Sequence, residues 1–306
     1  MKEIRRLNTQ LTARSIARPA RELLQPWVFN ARVLATFARV CDLATASGDI
    51  LALVAPEVDD GPMNIVLEAA PAGGMAPAES LAALKPGMPA RLEGDVLWVG
   101  DLPVTLARAA TWEPRPPWES LRPRHADIVR QIPCLQEVSL AQAPQESLLA
   151  LLQGGADGTP ESVQAVQAAL RTAGALLRSG WAGEVACLRE GVAWLAGLGG
   201  GLTPAGDDFL CGIMLAAWLA HPDPAAFCPV VVETATPRTT MLSAAFVRAA
   251  GRGECRAAWH RLLPALAAGD PEAIAAAAQD VLEHGATSGA DALTGFVTGC
   301  LYSLRA

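Results

Sequence analysis

A cluster of prolines at Trp112–Arg124 (WEPRPPWESLRPR) divides this chain into two stretches of different apolar rhythm. Proline fixes φ and removes a backbone donor, so four of them within that segment oppose both helix and strand. The segment reads as a stiff linker with a boundary near residue 115, which predicts domains 1–115 and 116–306. Before it lie short runs rich in Val, Ile and Leu: RVLATFARV, DILALVA, MNIVLEA, DVLWVG and LPVTLARA. Turn material separates them, as at Ser47-Gly48-Asp49, Asp60-Gly61-Pro62, Lys85-Pro86-Gly87 and Gly100-Asp101. That pattern predicts a small antiparallel sheet or barrel. Thr9–Leu24 is a candidate helix weakened by Pro19.

After the prolines the chain reads as helix. Thr159-Pro160-Glu161 and Asp270-Pro271-Glu272 each offer a capping residue, a proline for the first helical position and an early acid. Thr203-Pro204 offers the first two before the apolar run Phe209–Ala220. Seven to nine helices are expected between about 120 and 305. The fold class is therefore α+β: a small, β-rich, barrel-like N-terminal domain followed by a larger all-α domain.

Several classes are excluded early. A net charge of -7 argues against a nucleic-acid binder. The run Phe209–Ala220 would span about 18 Å as a helix, against roughly 30 Å of hydrocarbon, so no membrane span is expected. The first residues, MKEIRRLNTQLTARS, carry charge without an apolar stretch, unlike a signal peptide. Seven scattered cysteines with no Cys-x-x-Cys pair fit reduced thiols, and the expected location is cytoplasmic.

Three segments carry candidate chemistry. The first is GLGGGLTPAGDD, Gly197–Asp208. Gly199, Gly200 and Gly201 allow backbone N–H groups to crowd around an anion, and the helix start at Thr203 adds donors and a positive dipole end. A glycine helix stop plus a turn is the bland alternative. Asp207 and Asp208 follow at once. One can serve the helix start, leaving the other for a proton, a ligand amide or a divalent cation. The second is HGATSGAD, His284–Asp291, where Ser288 and Asp291 have capping-box spacing and His284 reads as a cation at a helix C-terminus. The third begins TPRTTMLS: Thr239 or Thr240 lies one helical turn from Ser243 and hence on its face, with Arg238 at the start, as hydroxyls and a guanidinium suited to an anion or to capping.

The first two segments also repeat one another. Gly206, Asp208, Leu210 and Gly212 align without a gap on Gly289, Asp291, Leu293 and Gly295. Either this is coincidence in an Ala/Gly-rich chain, or two helix starts meet at one site.

GLGGGLTPAGDDFLCG, TTMLSAAFVRAAGRGE and ATSGADALTG together resemble a bacterial domain-of-unknown-function family that includes the AllH-type subunit of oxamate carbamoyltransferase. Ala205 stands where that pattern commonly has Ser. Ala286 stands where it often has His, with His284 two residues earlier, so no catalytic histidine is carried over. The resemblance implies a subunit that, with other enzyme subunits, interconverts oxalurate plus phosphate with oxamate plus carbamoyl phosphate in allantoin and purine nitrogen breakdown. On that reading Asp207, Asp208 and Asp291 are catalytic. Gly199, Gly200, Gly201, Thr203, Arg238, Thr239, Thr240, Ser243, Ser288 and Gly289 hold a small anionic substrate. A metal-assisted amide or phosphate hydrolase and a non-catalytic assembly subunit remain the alternatives, with a divalent cation the one cofactor weighed.

Overall fold

The computed structural model describes residues 10–25, 29–70, 76–144, 146–149 and 161–304. The chain divides into two compact units, Met1–Pro114 and Arg115–Ala306. The first unit contains β1 (Leu11–Ala17), β2 (Asn30–Thr36), β3 (Val40–Thr45), β4 (Ile50–Val54), β5 (Asn64–Leu67), β6 (Pro89–Glu93), β7 (Val96–Val99), β8 (Leu102–Thr105) and β9 (Ala110–Trp112). Eight of them close into a barrel in the order β1-β5-β4-β3-β2-β6-β7-β8 and back to β1. Closure leaves no open edge in the ring. β9 is the ninth strand. It runs parallel to Ser15–Ala17 of β1, while β8 pairs with Leu11 and Thr12 of the same strand.

Period-two alternation builds the barrel core. Cys41, Leu43, Leu51, Leu53, Ile65, Leu67 and Leu97 share one buried cluster. Ala52, Val54 and Val66 form a second, on the opposite face of β4 and β5. Asp42 lies between Cys41 and Leu43 and so falls on that opposite face. It is 4% exposed, and burial raises its carboxyl to about 7.

Three sequence expectations change here. The candidate helix at Thr9–Leu24 is mostly strand: Leu11–Ala17 forms β1, and helix α1 covers only Arg18–Leu23, with Pro19 in its first turn. The apolar spacing over LTARSIA is nearer to two than to 3.6, which the short segment disguised. Thr9 lies outside the described residues. The run RVLATFARV is not one strand, because the chain turns at Phe37–Arg39 between β2 and β3. Pro77–Ala82 adds a short helix, α2.

The second unit holds α3 (Trp118–Leu121), α4 (His125–Arg130), α5 (Ile132–Leu140), α6 (Glu161–Trp181), α7 (Val185–Leu195), α8 (Ala205–Ala220), α9 (Pro224–Ala235), α10 (Met241–Gly251), α11 (Ala257–Ala268), α12 (Pro271–Leu282) and α13 (Ser288–Ser303). That is eleven α-helices among the described residues of this unit, more than expected. Pro123 and Pro133 break the stretch Trp118–Leu140 into three short pieces. The proline-rich segment is also less of a linker than its composition suggests. Only 113–117 lacks helix and strand. Trp118 is fully buried, and its Nε1–H donates to the Gly253 carbonyl at 2.9 Å. Arg122 donates to the carbonyls of Trp218 and His221, at the end of α8.

Asp270 caps α12 through the N–H groups of Glu272 and Ala273. Thr159 and Pro160, the other expected helix start, lie outside the described residues. No helix among the described residues is long and apolar enough to cross a membrane. The apolar run instead forms α8, buried on nearly every face, as expected of a helix at the centre of a core.

α13 crosses α8 at glycines. A Cβ on Gly212 would lie 1.9 Å from the Ala292 carbonyl oxygen, and one on Gly295 would lie 1.9 Å from that of Phe209. In the repeat alignment Gly212 corresponds to Gly295 and Phe209 to Ala292. The two contacts are therefore one contact made twice about a local twofold axis. Gly206 meets the Leu195 carbonyl at the end of α7, and Gly289 meets the Val281 carbonyl near the end of α12. Each half of the repeat is thus a helical hairpin, α7–α8 or α12–α13, and the repeat has a structural meaning beyond chance.

Candidate functional site

The glycine-rich loop joins α7 to α8. Gly197 has φ +74, and a Cβ there would lie 2.1 Å from the Arg238 carbonyl oxygen. Gly199 has φ +124 and packs against the Ala205 nitrogen. Both positions require glycine. Gly200 and Gly201 are exposed, with open space where a Cβ would stand. Among the described residues, the N–H groups of Gly199, Gly200, Gly201, Leu202 and Thr203 make no hydrogen bond within the chain. The helix start differs by one residue from expectation. Pro204 occupies the capping position with no side-chain cap, so Thr203 is not the cap. Its hydroxyl instead meets that of Ser288 at 3.0 Å.

Asp207 is wholly buried and fully engaged. One carboxylate oxygen accepts the Gly197 N–H at 2.8 Å. The other accepts the Ser243 hydroxyl at 2.7 Å and the Thr239 hydroxyl. Thr240 caps α10 by accepting the Ser243 N–H, and its own hydroxyl donates to the Leu202 carbonyl at 2.5 Å. These bonds sew the start of α10 onto the glycine loop. Arg238 sits in the turn before α10, and its guanidinium donates back to the Thr234 carbonyl. The hydroxyls of Thr239 and Ser243 thus serve Asp207, while the Arg238 guanidinium is turned to α9.

Asp208 has different surroundings. It is 8% exposed, and its Oδ2 has no hydrogen-bond partner. Desolvation raises its pKa well above the usual carboxylate range, and the neighbouring charges of Asp291 and Asp207 push the same way. The nearby Ser288 hydroxyl offsets part of this. Asp291, at the equivalent place on α13, is fully buried, and its Oδ2 also lacks a partner. Its Oδ1 accepts the Leu148 N–H at 2.6 Å. Burial raises it to about 6, against the pull of that N–H and of the Thr287 hydroxyl. Both acids are thus pushed toward the neutral form, Asp208 well above the usual carboxylate range and Asp291 to about 6.

The expected capping box at Ser288 and Asp291 does not form. Thr287 holds the capping position without a side-chain cap, Ser288 is already helical, and Asp291 turns to Leu148. A backbone amide is the donor there, so no side-chain pattern could have revealed it. His284 is not a helix-end cation. Although it is only half-buried, desolvation and the nearby Arg256 push its pKa well below the ordinary value, leaving it neutral beside Phe246. Cys211 is no nucleophile at neutral pH: burial and the charges of Asp208 and Asp207 raise its thiol well above normal. Among the described residues, no group of three or more His, Cys, Asp or Glu side chains is arranged to hold a metal ion.

The structure therefore gathers Asp207, Asp208, Asp291, Thr203 and Ser288 around the facing ends of α8 and α13, with Gly199–Gly201 on the exposed side. Gly289 is a packing position against α12. Two family models match the chain. The one described as oxamate carbamoyltransferase subunit AllH matches residues 195–300. The one described as the AllH family N-terminal domain matches residues 12–111. No solved structure matches.

Proposed function

The chain belongs to the AllH family, and from that premise we propose that it binds and helps to transform substrate as a subunit of an oxamate carbamoyltransferase. The reaction is oxalurate plus phosphate to oxamate plus carbamoyl phosphate, and its reverse. A phosphate oxygen attacks the carbamoyl carbon, a C–O bond forms, and the C–N bond to the oxamate nitrogen breaks. That nitrogen leaves only if it receives a proton. The observation that carries the reading is Asp208: a buried carboxyl with an unpartnered oxygen, pushed by burial toward its neutral form, on the helix that the loop of unbonded N–H groups leads into.

A neutral Asp208 also removes a conflict. An ionised carboxylate next to the glycine loop would repel phosphate, whereas a carboxylic acid would not. The N–H groups of Gly199–Thr203 and the N-terminus of α8 supply donors for phosphate or the substrate carboxylate, and for charge developing on the carbamoyl oxygen. The largely ionised Asp291 offers its free oxygen to a carbamoyl NH2 group. Asp207 serves by fixing the loop. The family description names a subunit, so other enzyme subunits complete the catalyst. The proposal carries a cytoplasmic location, supported by seven free cysteines, and a place in purine nitrogen breakdown.

The test is the complex reconstituted with its partner subunits and assayed for carbamoyl phosphate from oxalurate and phosphate. Asp208→Asn is expected to lower kcat by roughly 100-fold, the usual scale for a general acid or base. Wild-type turnover by that variant sinks the assignment.

A further inference from the structure

The reaction moves one proton as well as one carbamoyl group. Oxalurate carries one negative charge and hydrogen phosphate two, as do oxamate and carbamoyl phosphate respectively. The phosphate that attacks loses its proton, and the oxamate nitrogen that leaves gains one. The donor and the acceptor of that proton lie on opposite sides of the carbamoyl carbon, so one side chain cannot readily serve both.

Two hydroxyls bridge the gap. Thr203, at the end of the glycine loop, and Ser288, in the first turn of α13, lie 3.0 Å apart, and either can be the donor. The Ser288 hydroxyl also lies near enough to the Asp208 carboxyl to favour its charged form. A hydroxyl donates one hydrogen bond and accepts two, so each can take a proton on one side as it gives one on the other. Asp208 is 92% buried by its 8% exposure, and its Oδ2 is unpartnered. That oxygen is the end of the chain of groups opposite Thr203, and it has a hydrogen bond still to make. Neither hydroxyl is needed where sequence placed it, because neither caps its helix.

We propose that Thr203 and Ser288 form a proton relay from phosphate at the glycine loop to Asp208. In the phosphorolytic direction the phosphate O–H gives its proton to the Thr203 hydroxyl, Thr203 to Ser288, and Ser288 to the Asp208 carboxyl. Asp208 delivers a proton from Oδ2 to the departing amide nitrogen. The phosphate oxygen bonds to the carbamoyl carbon as the C–N bond breaks. Each hydroxyl keeps one proton and Asp208 ends with its proton on the other oxygen, so reorientation of that proton and of the hydroxyls resets the relay, and the reverse reaction runs it backwards. The proposal rests on the carbamoyl-transfer reading above. Ser288 acts through its neighbours as a positioning residue, Thr203 touches the phosphate itself, and both are distinct from the N–H groups that hold the anion.

The experiment uses the reconstituted complex with oxalurate and inorganic phosphate. Ser288→Ala is expected to lower kcat by roughly 10- to 100-fold with the KM for phosphate nearly unchanged. Ser288→Thr is expected to restore most of the rate. In mixtures of light and heavy water, the wild-type rate should bend with deuterium content, as several protons in flight require, and Ser288→Ala should change that curve. Thr203→Val, with Thr203→Ser as its rescue, repeats the test from the loop side should Ser288→Ala fail to fold. Wild-type turnover accompanied by normal rates and an unchanged isotope curve in both variants overturns the relay and leaves the carbamoyltransferase reading standing. A wild-type complex that makes no carbamoyl phosphate overturns both.

Discussion

The carboxylate of Asp207 accepts the backbone N–H of Gly197 at 2.8 Å, which closes the loop between α7 and α8 into a ring. Its neighbour Asp208 has one oxygen with no partner. Adjacent residues of one type thus have opposite energetic roles. Asp207→Ala strands the Gly197 N–H and two hydroxyls in a buried place and is expected to cost about 2–4 kcal/mol. Asp208→Asn removes a poorly solvated acid and should leave stability within about 1 kcal/mol of wild type, or raise it. Denaturant melts of the two variants check the contrast. Equal losses would mean that Asp208 is as structural as Asp207.

The glycine loop separates in the same way. Gly197→Ala forces a side chain into the Arg238 carbonyl at positive φ and should destabilise the chain by about 2 kcal/mol or more. Gly200→Val projects into open space, so its melting curve should match wild type. Its branched side chain would stand where an anion must approach the backbone. Calorimetric titration with inorganic phosphate should then show affinity at least about 10-fold weaker. Unchanged phosphate binding would place the anion elsewhere.

At the crossing of α8 and α13, Gly212→Ala and Gly295→Ala each insert a methyl group 1.9 Å from a carbonyl oxygen. Each is expected to cost about 3 kcal/mol or more, or to prevent folding. Gly174→Ala, in α6 with nothing near its Cβ, should instead stabilise by about 0.5–1 kcal/mol. Comparing thermal midpoints of the three variants tests the close crossing directly.

Asp42 gives a pH signature of the barrel. Burial raises it from 3.8 to about 7. The folded chain therefore holds this proton over a range where the unfolded chain has released it. The associated stability is complete below about pH 4 and is lost as pH rises through about 7. Asp42→Asn should remove this part of the slope and be more stable than wild type at pH 8, by about 4 kcal/mol at most. A pH profile of stability with the same slope in both proteins refutes the assignment.

The sequence showed the division into a β part and an α part because apolar rhythm changes across the prolines. It showed the meeting of α8 and α13 because close helix packing leaves glycines at fixed spacing, and Gly206, Gly212, Gly289 and Gly295 repeat that spacing. β1 is hard to read because seven residues barely separate a period of two, which fits better, from one of 3.6. The different fates of Asp207 and Asp208 were invisible, since the hydroxyls that engage Asp207 come from Thr239 and Ser243, on another helix. Thr203 and Ser288 read as anion donors in the sequence, but nothing in their local context reveals that they face each other.

The place of β1 in the barrel sets an order of events during synthesis. Its partners β5, β8 and β9 all leave the ribosome after it, the last two near the end of the unit. The first strand made is thus the last whose pairing can be completed. The emerging β-unit must pass through an incomplete form with the sides of β1 unsatisfied, a period when chaperone binding would have most effect. Ring closure waits until β8 appears, and docking of β9 waits until the chain has reached Trp112, just before the prolines begin.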